Sequence, residues 1–191
     1  MKLDAKRTAI ISLDVQNELV ETTIGVTETG MLERMAAVLE AGRSKGCAVI
    51  HVTASVRSDF HDIPRESPLW INIRKHKTMI AGTKAAQIHP SVAPLESELV
   101  LNKTCVDPFL TTNLGQSLIN ADVNTVILFG LWTNYVVEAT ARHASDMGYR
   151  VYVVSDCCAS NDADNHQWAM ERILPTLSYI ATSQDVINAL S

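Results

Sequence analysis

The apolar residues of the chain fall into short runs separated by segments with helical spacing. Ala9–Val15, Cys47–Thr53, Glu98–Asn102, Thr125–Phe129, Arg150–Ser155 and Ser178–Ala181 are rich in aliphatic and β-branched residues and lack strict alternation, the pattern of strands covered on both faces. Between them, Met31, Leu32, Met35, Ala36, Val38 and Leu39 recur at helical intervals, and Gly42 with Gly46 predicts the stop. Further helices are predicted over Leu110–Ile119, over Asn165–Leu174, ended by Pro175, and over Gln184–Leu190. A helix over Tyr135–Met147 has Val136, Val137, Thr140, Ala141, Ala144 and Met147 on its covered face. Ser55–Pro94 holds several prolines and no sustained period, so it predicts a long excursion with one or two short helices, a length that is commonly functional. Six strands alternating with helices imply an α/β fold, a doubly wound parallel six-stranded sheet with helices on both faces, because crossovers are right-handed.

The most informative stretch is Val126–Ser160, a strand, a break at Gly130, a helix stopped at Gly148 and a second strand. Asp14, Lys103 and the Gly130–Tyr135 turn follow the ends of three different predicted strands, where open parallel sheets bind ligands. An acid and a base brought together there would hold each other charged and leave Asp14 able to accept a proton. A structural ion pair fastening two loops reads equally well from the spacing alone.

Composition narrows the classes of partner. The 191 residues suit one domain, 1–191, and 47% hydrophobic with 19% charged residues excludes disorder. A net charge of −5 without a sizeable basic cluster argues against nucleic acid. Arg74–Lys77 is the densest basic patch and reads as a solvated or subunit-facing loop. No apolar run approaches the roughly 18 residues of a membrane span, and Ala9–Leu13 is too short for a signal-peptide core, so a cytoplasmic protein is expected. Cys47, Cys105, Cys157 and Cys158 show neither disulfide nor zinc spacing, and no glycine-rich phosphate loop occurs, so no nucleotide cofactor is expected.

IISLDVQN at 10–17, LNKTCVDPF at 101–109 and GLWTNYVVEATARHASDMGYRVYVVSDCCAS at 130–160, followed by His166, together resemble the isochorismatase-like (cysteine hydrolase) superfamily over nearly the whole chain. The resemblance implies a Rossmann-like sheet, a homodimer or homotetramer, and hydrolysis of a small-molecule substrate, often at a C–N bond. It also implies a triad in the amidase branch whose aspartate falls on Asp14 and whose lysine falls on Lys103. The nucleophile pattern G-x-x-T-x-x-C-V falls on Gly130, Thr133, Val136 and Val137, so valine occupies the expected cysteine position. Oxyanion donors near a non-proline cis peptide are implied around Leu131–Trp132–Thr133 and the Val136 N–H.

An isopropyl group has no lone pair, so covalent catalysis through residue 136 is excluded, while main-chain donors survive any side-chain change. Three readings stay open. Asp14 could work without a covalent intermediate, as is thought of isochorismatases, which have glycine at this position. The chain could be an amidase whose nucleophile was replaced, or a non-catalytic binding or structural homologue. Trp70, Trp132, Thr133 and Tyr135, with Gln16, Asn17 and Asn134, are the candidate substrate contacts. Cys105 reads first as a small buried hydrophobe, Trp168 as a packing or interface residue and His166 as a brace for the loop after the fifth strand. Asp59 and His61 resemble the start of the nicotinamidase metal site, but no further histidine follows nearby, so no metal is expected.

Overall fold

A computed structural model describes residues 2–190. Six strands, β1 (Thr8–Leu13), β2 (Ala48–Ala54), β3 (Leu99–Lys103), β4 (Thr125–Leu131), β5 (Arg150–Ala159) and β6 (Tyr179–Ala181), form one sheet in the order β3-β2-β1-β4-β5-β6. All five pairings are parallel. The helices are α1 (Asn17–Thr22), α2 (Met31–Lys45), α3 (Pro68–His76), α4 (Pro108–Thr111), α5 (Leu114–Asn120), α6 (Glu138–Asp146), α7 (Ala163–Trp168) and α8 (Ser183–Leu190). α2 packs on α8, β2 and β5, while α4 packs on α5 and α6, so both faces of the sheet are covered. That cover explains why β1 and β4 are apolar and buried at almost every position. No helix among the described residues is long and apolar enough to cross a membrane.

The strand order reverses between β1 and β4, and the crevice at their C-terminal ends is where this architecture accepts ligands. Gly130, paired with Leu13, shapes that crevice. Its φ is +147°, and a Cβ there would overlap the Leu13 carbonyl oxygen, so only glycine lets β4 pass so close to the end of β1. The β4–β5 register shifts between Leu128 and Gly130, and β5 runs on to Ala159 alongside the displaced strand end.

Several boundaries differ from the sequence expectation. Gly42 lies inside α2 rather than at its end, because a side chain there would run into Ile10; Gly46 alone caps the helix, in the left-handed conformation. The single helix expected over Leu110–Ile119 is two. Thr112 breaks it, donating to the Pro108 carbonyl at 2.6 Å and accepting the Leu114 N–H at 3.1 Å. The helix after β4 opens with a wider π-helical turn, Thr133–Val137, and Pro175 sits within a short 3₁₀ turn, Leu174–Thr176, rather than beyond the helix. Arg74–Lys77 is not a loop: Arg74–His76 form the last turn of α3 and Lys77 caps it in a left-handed conformation.

The long excursion between β2 and β3 is fastened to the crevice rather than loose. The Gln16 amide donates to the carbonyls of Ala54 (3.0 Å) and Ala86 (2.7 Å) and accepts the Ala54 N–H (2.8 Å). Main-chain bonds run from Asn17 to Gln87 and from Glu18 to Ala85, each 3.0 Å. Within the excursion, Val56, Ile63, Trp70 and Ile73 form a small apolar cluster of their own.

Candidate active site

Asp14 follows β1 in the left-handed conformation, φ +54°, a state that costs an L-residue about 1 kcal/mol and that aspartate tolerates better than most. Its N–H donates to the Val52 carbonyl and its own carbonyl accepts the Gln16 N–H, so the turn is fixed by the neighbouring strand. Lys103, the last residue of β3, is paired in register with Ala54, and its long side chain crosses that small residue to reach Asp14. Nζ lies 2.8 Å from Asp14 Oδ2, and the two residues are 3% and 5% exposed.

The second carboxylate oxygen, Asp14 Oδ1, is buried and has no hydrogen-bond partner among the described residues. Asp14 lines a cavity of about 430 Å³ together with Lys103 and Val136, a size that suits a small organic molecule. A buried carboxylate oxygen without a partner, on a residue that lines a cavity, is an acceptor that the protein itself leaves unsatisfied. Burial pushes the Asp14 carboxyl above its ordinary value of 3.8, and the Lys103 ammonium opposes that only in part. Asp14 is therefore a stronger base than an exposed aspartate, not one that the lysine simply holds ionised.

Most of the other walls come from three segments. Leu19 and Thr22 belong to α1; Trp70, Ile73 and His76 to α3; Leu131, Trp132 and Tyr135 to the end of β4 and the turn after it. The Leu131–Trp132 peptide is cis, at the position the resemblance implied. Trp132 Nε1 donates to Thr23 Oγ1 at 2.8 Å, and its ring meets Tyr135 at 5.8 Å between centroids and 56° between planes. Two rings are thus presented as a corner, one of them fixed by a hydrogen bond.

The candidate residues divide into two groups. Asp14, Lys103, Val136, Trp70, Trp132 and Tyr135 line the one cavity. Gln16, Asn17 and Thr133 do not. Gln16 and Asn17 hold the excursion, the latter through Nδ2 to the Lys84 carbonyl at 2.7 Å, and Thr133 Oγ1 lies 2.8 Å from His166 Nδ1. The His166 ring therefore meets the turn after β4, while its N–H bonds the Asp162 carbonyl in the segment after β5 at 3.1 Å. Asn134 accepts from Ser160 Oγ at 2.7 Å. Cys105 is half-buried, with Sγ donating to the Asp107 carbonyl at 2.9 Å, and Trp168 is exposed. Asp59 is engaged by Arg57, at 2.9 Å from its Nε. Among the described residues no group of three His, Cys, Asp or Glu side chains is placed to hold a metal.

Hydrophobic pattern alone does not announce α1 or the Asn72–Met79 wall, which sit in segments too short or too mixed for a clear period. The signal available for the latter was the i, i+3 spacing of Trp70 and Ile73, followed by His76 at the next step.

A buried aspartate–lysine pair thus lines a largely apolar cavity at the switch point of a parallel sheet, the arrangement of an α/β candidate ligand site. The isochorismatase domain model matches residues 8–185, and the chain belongs to that family. Similar relatives include the uncharacterized isochorismatase family protein YecD of Escherichia coli, 24% identical and covering 100% of both chains. Maleamate amidohydrolase of Pseudomonas putida is 28% identical over 83% of this chain and 74% of its own. Among solved structures, a cysteine hydrolase from Pseudomonas syringae pv. phaseolicola superposes with a TM-score of 0.89 at 24% identity, covering 100% of this chain and 95% of that one.

Proposed function

We propose that this chain is a small-molecule hydrolase in which Asp14 activates water directly, with Val136 standing where the family's cysteine branch carries its nucleophile. The observation that carries the reading is the unpartnered Oδ1 of Asp14, a residue that lines the cavity, its sister oxygen held by Lys103 at 2.8 Å. In this scheme Lys103 fixes the carboxylate so that Oδ1 faces a water molecule. Asp14 takes a proton from that water as its oxygen bonds to the substrate carbon, and returns the proton to the leaving group as the scissile bond breaks. Main-chain N–H groups of the 131–136 turn would receive the negative charge that builds on the substrate oxygen.

A panel of amides, ureides and isochorismate, assayed with the wild type and with Asp14→Asn, tests the assignment. The variant is expected to lose at least about 100-fold in kcat/KM on whichever substrate is turned over. Equal rates in the two proteins would overturn it. Because burial raises the Asp14 carboxyl above 3.8, the acidic limb of the wild-type profile is expected above the range of an exposed aspartate, activity falling as pH drops through it.

A further inference from the structure

We infer that the substrate of this site is uncharged, and that the cavity discriminates against carboxylates. The inference rests on the cavity being the substrate site, as proposed above, and adds the charge class of what enters.

Three acidic or basic side chains with full charges line the cavity: Asp14, Glu18 and Lys103. The ammonium of Lys103 lies against Asp14 Oδ2 at 2.8 Å, so its charge is already neutralised. Glu18 is partly buried and uses Oε2 to accept the Met79 N–H at 2.9 Å, while the cation of the lining, Lys103, is held by Asp14 instead. Among the described residues no arginine lines the cavity, and His76 lies at the exposed rim. Arg74, on the same helix, has its guanidinium on the Pro64 and Arg65 carbonyls.

The deeper walls, Leu19, Trp70, Ile73, Leu131 and Val136, are apolar and buried. An entering carboxylate would exchange its hydration for two carboxylates and one ammonium already taken. An uncharged ring meets the opposite circumstances. It covers apolar wall, lies in the corner between Trp132 and Tyr135, and leaves its polar group free to donate to Asp14 Oδ1.

Calorimetric titration of the full chain with benzamide and benzoate at pH about 8 tests this without relying on turnover. Benzamide is expected to bind at least about tenfold more tightly than benzoate. Asp14→Asn frees the Lys103 ammonium and is expected to reverse that order. Thr22→Arg, an exposed position at the end of α1, adds a cation at the rim and is expected to narrow the difference should the first variant fold poorly. Benzoate binding the wild type as well as benzamide, or neither binding at roughly 10 mM, would overturn the inference. Loss of the Asp14 assignment in the kinetic assay would leave this binding preference standing, so the two proposals fail separately.

Discussion

In the proposed mechanism, position 136 decides how the chain can react. The Val136 side chain is buried and lines the cavity with Asp14 and Lys103, so a thiol placed there would stand beside both a base and a cation. Val136→Cys removes little volume and introduces the atom that covalent hydrolysis lacks. We expect this variant to gain amidase activity and to show, by intact mass, an adduct one acyl group heavier during turnover. An unmodified mass across a broad amide panel would mean that the surrounding donors are not arranged for attack from residue 136. Asp14 also affects stability in an unusual direction for a carboxylate. Its folded-state affinity for protons exceeds the unfolded one, so protonation favours the fold, and this contribution fades as pH rises through the raised value.

At the level of elements, the close passage of β4 over the end of β1 sets the crevice. Gly130→Ala forces a Cβ against the Leu13 main chain and is expected to destabilise by about 2–3 kcal/mol in urea unfolding. Gly148→Ala is the control. It also has positive φ, +87°, but no atom lies within 4 Å of the added carbon, so about 1 kcal/mol is expected. Similar losses in both would mean that backbone conformation, not the close approach, makes Gly130 necessary. These strands were legible in the sequence because burial on both faces leaves unbroken apolar runs, and Asp14 and Lys103 were legible because each ends one. Gln16 and Asn17 were not: a polar residue next to a candidate catalytic position looks the same in sequence whether its amide meets a ligand or a neighbouring main chain. Thr112 and the π-helical turn at Thr133–Val137 were hidden for a related reason, since hydroxyl-to-carbonyl bonds and local helix widening leave no mark on hydrophobic spacing.

Across the whole molecule, a second buried polar group joins layers far from the cavity. Arg43 of α2 grips Glu98 just before β3, with Nε 2.7 Å from Oε1 and Nη2 2.8 Å from Oε2, and His51 Nε2 of β2 lies 3.2 Å from Oε2. Burial alone would raise the Glu98 carboxyl, but Arg43, the Leu95 N–H and His51 outweigh it and bring it to about 2. Burial also lowers His51 below 6.5, more than its bond to Glu98 raises it. Both groups bind protons less readily when folded, so the stability they contribute is complete above pH about 6.5 and declines towards pH about 2. Glu98→Gln is expected to cost about 2 kcal/mol near neutrality, with the gap in Tm closing as pH falls towards 2. A gap that is the same at both ends of that range would show that the carboxylate's charge is not what holds β3 to α2.

The stapling of the excursion to Gln16 and Asn17 means that the chain's recognition wall is a detachable module with its fasteners on the host. Residues 55–98 leave the sheet after Ala54 and rejoin it at Leu99, and the side chains of Gln16 and Asn17, with main-chain bonds at Val15, Asn17 and Glu18, seat them against the segment just beyond Asp14. A homologue given this insert would inherit the cavity's shape only if it also carried the glutamine and asparagine, whereas the reacting pair would be left untouched by the exchange. New selectivity could therefore be acquired by swapping one cassette between fixed ends.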